Sequence, residues 1–215
     1  LADTLSPLID IGANLLDLKL YKNFESIIQK SKANNLKKII ITSSHINDTY
    51  AARELIEREP KLLCTTVGFH PHNAKDYNDN YYNEMLKLCN QSYVKAIGEC
   101  GLDYKRNYSN KIDQMFCFKR HLDLACEINM PMFLHEREAH KDFLKLLREY
   151  IHKIEDVVVH CFTGDKVSLK KYLDLDCYIG ITGWITDPKR GLHLHDILKY
   201  IPSDKLMIET DSPYL

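Results

Sequence analysis

The chain has 215 residues, of which 45% are hydrophobic and 27% are charged, and its formal net charge is −1. This composition is typical of a globular protein and excludes a disordered chain. The near-zero net charge excludes a protein covered in basic charge for nonspecific nucleic-acid binding, although a local basic groove is compatible with it.

The seven cysteines are scattered singly, without a Cys-x-x-Cys pair. This pattern argues against a structural zinc ribbon and favours reduced thiols in a reducing compartment. The sequence contains no run of about 18 apolar residues, so we expect no membrane span. These features predict a cytoplasmic protein, with access to the nucleus if the source is eukaryotic.

Short apolar runs alternate with longer amphipathic stretches along the chain. Eight runs rich in Val and Ile predict strands buried on both faces of a parallel sheet: Leu8–Ile11, Lys38–Thr42, Leu63–Val67, Val94–Gly98, Met130–Leu134, Val157–His160, Tyr178–Thr182 and Leu206–Ile208. Helical spacing of apolar residues predicts seven helices between them: Phe24–Asn34, Asp48–Arg58, Tyr81–Cys89, Ile112–Ile128, Phe143–Ile151, Val167–Leu175 and Leu192–Tyr200.

This alternation predicts βαβ units. Eight strands favour a closed (β/α)₈ barrel of the TIM type, with a doubly wound open sheet as the alternative. In a barrel, functional groups come from the carboxyl ends of many strands. Polar side chains do follow the predicted strands here, and they include Asp10 and Asn14, His70 and His72, Glu99 and Asp103, His135 and Arg137, His160, and Glu209 and Asp211.

Burying imidazoles and carboxylates together at one rim is unfavourable unless they pair or bind a cation. A single histidine at a strand end is more often a hydrogen-bonded structural residue, but four that converge favour a metal centre. Such a cation would polarise an ester or phosphate oxygen and lower the pKa of water.

Five segments together resemble the TatD family of metal-dependent deoxyribonucleases, and the resemblance extends from about Leu8 to Leu215. The segments are Asp10–Asn14, Gly68–His72, Gly98–Asp103, His160–Gly164 and Glu209–Tyr214. The resemblance implies a single metallo-dependent hydrolase barrel over residues 1–215, in which one or two divalent cations assist the hydrolysis of DNA phosphodiester bonds. It also implies DNA, with RNA as an alternative, as the substrate, and we expect no obligate protein partner.

Roles follow from this resemblance residue by residue. Glu99 is similar to the carboxylate that bridges metals, and His135 and His160 to the ligands of one metal. Asp211 is similar to the ligand on strand eight that also activates water. The remaining side chains are similar to those that contact the scissile phosphate: His70, His72 and Arg137.

One departure from many relatives lies after the first strand, where they carry His-x-His. Gly12 and Asn14 occupy these two positions here. Because an amide oxygen is a weak ligand that suits hard cations, Asn14 is at most a weak metal ligand. We therefore expect activity with Mg²⁺ or Mn²⁺, with Zn²⁺ as an alternative, and at most one tightly held ion.

Two rival functions stay open at this stage. One is hydrolysis of an amide, ester or lactone in a small molecule by a related enzyme, and the other is a noncatalytic scaffold with a degenerate site. Exonuclease action on strand ends is the form of nuclease activity that we favour.

Several residues near the expected site have ordinary structural interpretations. His193 and His195 also read His-x-His, but in a helix their side chains point about 200° apart. His45 has a weak claim to the barrel mouth, and Cys100 and Cys161 should point away from it. Trp184 is as suited to stacking on a base as to shielding the rim. The short basic loops at 105–106 and 189–190 are more typical of charges exposed to solvent than of side chains that bind the DNA backbone.

The eighth strand is expected to end near Asp211, only four residues before Leu215. We therefore expect the barrel to lack its C-terminal eighth helix in this sequence. We expect apolar faces of Leu8–Ile11 and Leu206–Ile208 to be uncovered, which favours aggregation or a partner.

Overall fold

The computed structural model describes residues 6–214 and contains eight parallel strands in the sheet order β1 to β8. Neighbours in the chain are therefore neighbours in the sheet, as in a barrel, and the open-sheet alternative is wrong. The strands are β1 Leu8–Ala13, β2 Leu36–Ile41, β3 Leu63–Val67, β4 Val94–Asp103, β5 Met132–Arg137, β6 Val157–Val159, β7 Tyr178–Ile181 and β8 Leu206–Ile208.

Helices connect the strands, and all seven predicted helices are present with ends shifted by at most a few residues. They are α2 Phe24–Ala33, α3 Ile46–Arg58, α4 Asn80–Cys89, α5 Lys111–Ile128, α6 His140–Tyr150, α7 Lys166–Leu173 and α8 Leu192–Leu198, preceded by the short, unpredicted α1 Leu18–Tyr21. Within residues 6–214, no helix is long and apolar enough to cross a membrane.

The main core lies between the strands and the helices around them. All five residues of β3 are buried, which agrees with a strand covered on both faces. Helix α6 buries Phe143 and Leu147 on one face, and Phe143 stacks on Phe118 of α5 at 5.2 Å between ring centroids. This packing holds the carboxyl ends of the central strands in fixed positions.

The barrel closes where β8 meets β1. The N–H of Asp211 donates to the carbonyl oxygen of Gly12 at 2.8 Å, and the N–H of Asn14 donates to that of Ser212 at 2.9 Å. The described residues after β8 form no helix. As expected, this side of the barrel exposes apolar side chains, namely Leu8, Ile9, Leu206 and Ile208.

Candidate active site

A cavity of about 650 Å³ opens at the carboxyl ends of the strands, and we call it the mouth. Functional groups of barrel enzymes lie at this end. The eight site residues predicted from the sequence all line the mouth: Asn14, His70, His72, Glu99, His135, Arg137, His160 and Asp211.

Glu99 enters the mouth because β4 bulges there. The register between β4 and β5 shifts between Gly98 and Cys100, so Glu99 is the extra residue. A bulge of this kind re-aims a side chain. Gly101 follows at φ +144°, where a Cβ would clash with the carbonyl of His135. β4 extends to Asp103, beyond its predicted end, because its pairing with β5 continues as far as Asp103 and Arg137.

Three imidazole rings converge on one oxygen of Glu99. Oε1 lies 2.8 Å from Nε2 of His160, 2.9 Å from Nδ1 of His135 and 3.2 Å from Nε2 of His70. Burial opposes the charged form of this carboxyl, but the rings of His160 and His70 outweigh it and hold the pKa of Glu99 well below its usual range. Glu99 is therefore the centre of the cluster.

A second carboxylate supports His160 from behind. Nδ1 of His160 donates to Oε2 of Glu209 at 3.3 Å, and the other oxygen of Glu209 accepts from the N–H of Cys161 at 2.6 Å. Burial disfavours the charged ring, yet Glu99 and Glu209 outweigh it and raise the pKa of His160 well above its ordinary value. His160 thus lies between two carboxylates.

Asp103 supports two further rings at the floor of the mouth. Its Oδ2 accepts from Nε2 of His72 at 2.7 Å and lies 3.5 Å from Nε2 of His135. That nitrogen of His135 is buried, and no hydrogen-bond partner for it lies within residues 6–214. Burial alone would raise the pKa of Asp103, but the adjacent rings of His135 and His72 outweigh burial and hold this pKa well below the usual range.

The orientation of His70 differs from that of the other two rings around Glu99. The N–H of His72 donates to Nδ1 of His70 at 3.0 Å. Burial lowers the pKa of His70 to about 4, so the ring is neutral near pH 7. Since Nδ1 accepts a bond, the single ring proton is on Nε2 and faces Glu99. His70 therefore presents a donor to the mouth.

Asp211 and Asn14 face each other where β8 meets β1. The amide nitrogen of Asn14 donates at 3.1 Å to Oδ1 of Asp211 and at 3.1 Å to the carbonyl of Ser212. Burial raises the pKa of Asp211 to about 6. A carboxyl group with this pKa changes protonation close to physiological pH, as a general base must.

Cationic and aromatic side chains form the rim of the mouth. The half-buried guanidinium of Arg137 has no hydrogen-bond or ionic partner in the described part of the chain. Arg190, by contrast, pairs with Asp187 and lies 4.1 Å from the ring centroid of Trp184. Arg137 is therefore free to bind an anion, because its planar fork matches phosphate oxygens.

The cluster around Glu99 has the chemistry of a divalent-cation site. Nitrogens of His70 and His135 and an oxygen of Glu99 lie within 4.8 Å of one another. Nε2 of His160 is equally close to Glu99. Mixed imidazole and carboxylate ligands bind first-row metals such as Mn²⁺ and Zn²⁺, whereas carboxylates also suit Mg²⁺. The buried nitrogen Nε2 of His135, which has no hydrogen-bond partner within residues 6–214, fits such an ion.

His193, His195 and His45 lie outside this cluster, as the helical positions of the first two predicted. His193 and His195 bond the carbonyl oxygens of Thr163 and Ile185. Nδ1 of His45 accepts from the N–H of Asn47 and caps α3, so its weak claim to the mouth receives no support. These three rings bond backbone groups, as structural histidines do.

The expectation for Cys161 is wrong, although that for Cys100 is confirmed. Cys100 is fully buried away from the mouth. Cys161 lines the mouth because β6 ends at Val159, and the alternation of a strand does not extend to a residue with φ +44°. Burial raises the pKa of the Cys161 thiol to about 12, so it is a poor nucleophile.

No role is predicted from the sequence for Glu209 or Asp103, although they lie in the segments Glu209–Tyr214 and Gly98–Asp103. A signal was available for Asp103, because side chains an even number of residues apart share one face of a strand and Asp103 is four residues after Glu99. Glu209 follows β8 and does not line the mouth, so strand alternation gives no such signal for it.

Comparison with known proteins agrees with this geometry. The family model described as TatD related DNase matches residues 9–215. A curated protein of Pectobacterium atrosepticum, named 3′-5′ ssDNA/RNA exonuclease TatD, is 39% identical over 208 residues, which cover 97% of this chain and 80% of the relative. The protein of the same name from Yersinia pseudotuberculosis is 40% identical with the same coverage.

Solved structures give the same result. A hydrolase described as a TatD family protein from Entamoeba histolytica superposes with a TM-score of 0.88 at 33% identity. The match covers 99% of this chain and 76% of the other. The similarity therefore includes the strands that carry the mouth and the loops that follow them.

Proposed function

The chain belongs to the family of TatD-related DNases, and from this premise we infer that it is an exonuclease that removes nucleotides from the 3′ ends of single-stranded DNA and RNA. The activity itself is hydrolysis of phosphodiester bonds. The observation that carries the proposal is the convergence of three imidazoles on Oε1 of Glu99, beside Arg137 at the rim, whose guanidinium has no partner among residues 6–214.

In this proposal, Glu99, His135 and His160 hold a divalent cation. The ion supplies positive charge that polarises the phosphate and lowers the pKa of water. We propose Mg²⁺ or Mn²⁺, with Zn²⁺ as the alternative. One tightly held ion is expected, because Asn14 uses its amide nitrogen to bond Asp211 and Ser212 and offers at most one weak oxygen.

Asp211 is the proposed general base. Its carboxyl group lines the mouth, and its pKa of about 6 leaves it ionised at pH 7 and able to accept a proton from the attacking water. The bond from Asn14 holds one oxygen, Oδ1, which leaves Oδ2 for that proton.

Three side chains are proposed to bind the scissile phosphate. Nε2–H of His70 is a neutral donor, and the guanidinium of Arg137 can form two parallel bonds to phosphate oxygens. His72, held by Asp103, lines the same wall. Donors placed where negative charge develops stabilise the transition state.

The compartment and partners are proposals as well. All seven cysteines are free thiols, which supports a reducing compartment such as the cytoplasm. A nucleic-acid strand end is the partner that the mouth fits, and no obligate protein partner is proposed.

The test is a direct assay of strand cleavage. Single- and double-stranded DNA and RNA oligonucleotides, labelled at either end, are incubated with the protein in EDTA and then with Mg²⁺, Mn²⁺ or Zn²⁺. We expect stepwise shortening of 5′-labelled single strands with Mg²⁺ or Mn²⁺ and none in EDTA. The variant D211N, which bears no base, should cleave at least about 10³-fold more slowly.

Other outcomes would favour the rival functions. Turnover of small esters or lactones without cleavage of any oligonucleotide would indicate a small-molecule hydrolase. Absence of both cation binding and turnover would indicate a noncatalytic scaffold and would overturn the proposal.

A further inference from the structure

Glu209 contacts a proposed cation ligand without facing the mouth itself. We propose that Glu209 is a positioning residue, which holds the Nδ1 proton of His160 and thereby aims the Nε2 lone pair at the cation position beside Glu99. This inference rests on the proposed function, because it assumes that His160 is a ligand.

The residues around Glu209 fix the orientation of its carboxylate. The side chain is completely buried, with 0% of its surface exposed. Oε2 accepts from Nδ1 of His160 at 3.3 Å, and Oε1 accepts from the N–H of Cys161 at 2.6 Å. The second donor is a backbone group that cannot reverse its polarity. Both oxygens are therefore committed, and both hold the segment from His160 to Cys161.

Two glycines make room for this carboxylate. A Cβ at Gly12 would lie 2.7 Å from Oε2 of Glu209, and a Cβ at Gly180 would lie 2.5 Å from Oε1. Any side chain at position 12 would therefore displace Glu209. Position 12 is where the resembled family often carries histidine. Glycine at this position thus leaves room for the carboxylate that supports His160.

The second nitrogen of a histidine ligand is usually bonded to a carboxylate or carbonyl, which fixes the tautomer and the ring orientation. Glu209 supplies that bond for His160. Because the proton is then held on Nδ1, Nε2 can offer its lone pair to a cation.

The variant E209Q tests the idea without changing the shape of the side chain. Its carbonyl oxygen must accept from the N–H of Cys161, since that donor is fixed. The amide NH₂ then faces Nδ1 of His160 and can only donate to it. The ring proton moves to Nε2, which points toward Glu99. The variant should therefore weaken the ligand although every heavy atom stays in place.

A matched control is available at the same end of the barrel. Glu136 also accepts one side-chain bond, from the hydroxyl of Tyr172 at 2.9 Å, and one backbone bond, from the N–H of Ala139 at 2.8 Å. Its carboxylate bonds none of the three rings around Glu99. The variant E136Q thus makes the same chemical change without altering the tautomer of His160.

Binding of Mn²⁺ to the full chain, measured by calorimetry and by the Mn²⁺ electron paramagnetic resonance signal, gives a readout independent of activity. We expect E209Q to bind Mn²⁺ about 10- to 100-fold more weakly than wild type, and E136Q to bind it unchanged. In ¹⁵N-correlated spectra of the proteins loaded with diamagnetic Mg²⁺ or Zn²⁺, the His160 proton should be on Nδ1 in wild type.

The outcomes distinguish an error in the proposed cation site from an error in the role of Glu209. If E99Q binds Mn²⁺ as tightly as wild type, the proposed cation site is wrong. If E99Q loses binding but E209Q does not, the site stands and the role of Glu209 is overturned. If circular dichroism shows that E209Q has lost its fold, the variant G12A, which crowds the same carboxylate, decides instead. Weaker Mn²⁺ binding by a folded G12A chain supports the role of Glu209, and unchanged binding overturns it.

Discussion

The mouth and the layer of helices behind β3 and β4 both bury histidines, and one ring from each region, His160 and His121, is held by partners of opposite chemistry. At the mouth, His160 lies between Glu99 and Glu209. In the helical layer, His121 of α5 is equally buried, but its Nε2 accepts from the N–H of Phe69 at 3.0 Å and its Nδ1 donates to the carbonyl of Cys117 at 2.7 Å.

The pKa values of the two rings move in opposite directions as a result. Burial lowers the pKa of His121 to about 4, because no carboxylate offsets it. In His160 the two carboxylates outweigh burial and raise the pKa. Burial alone therefore does not mark a functional histidine. Their partners distinguish these two rings, since two carboxylates keep His160 basic whereas backbone groups leave His121 neutral.

The largest expected effect separates the two regions by activity. The variant E99Q keeps the shape of the side chain but removes the charge on which three rings converge. Nuclease activity should fall at least about 10³-fold. H121Q, in contrast, should retain activity near the wild-type level under conditions where it is folded. Initial rates on a labelled oligonucleotide measure the activity of both variants, and circular dichroism checks that they are folded. An E99Q rate close to that of wild type would remove Glu99 from the mechanism.

A smaller effect concerns stability against pH. His121 stays neutral in the folded chain down to about pH 4, whereas an unfolded histidine gains a proton near pH 6.5. Its contribution to stability is complete above pH 6.5 and is lost as pH falls toward 4, by up to about 1.4 kcal/mol per pH unit. His160, with a raised pKa, contributes in the opposite sense, at low pH.

Comparison of wild type with H121Q isolates this contribution. The free energy of unfolding, from urea titrations in EDTA between pH 7.5 and 4.5, should favour wild type by an amount that shrinks as pH falls. A constant difference across this range would show that His121 does not titrate as its burial requires.

Most of the fold, and which residues line the mouth, could be predicted from the sequence. Alternating apolar runs and amphipathic stretches predicted all eight strands, since burial on both faces leaves few polar residues in them. The eight candidate residues all line the mouth because the carboxyl ends of parallel strands meet there. Their individual roles remain proposals.

The supporting carboxylates and the tautomers could not be predicted in the same way. The bulge at Glu99 depends on how β4 pairs with β5, which is a contact between distant segments. The hydrogen bond that His160 donates to Glu209 joins residues 49 positions apart. Likewise, Cys161 turns into the mouth because β6 is only three residues long. Such details depend on tertiary geometry rather than on local pattern.

The smallest expected effect is at the second His-x-His pair. His193 and His195 lie on α8, where each bonds a backbone carbonyl and no carboxylate. Both rings are exposed, so replacing them removes two surface hydrogen bonds and no buried charge. The double variant H193Q/H195Q should change the free energy of unfolding by less than about 1 kcal/mol and leave Mn²⁺ affinity and nuclease activity at the wild-type level. A tenfold loss of Mn²⁺ affinity, measured by the titration used for Glu209, would mean that histidines bonded only to backbone groups also support a cation, and the distinction between the two regions would then fail.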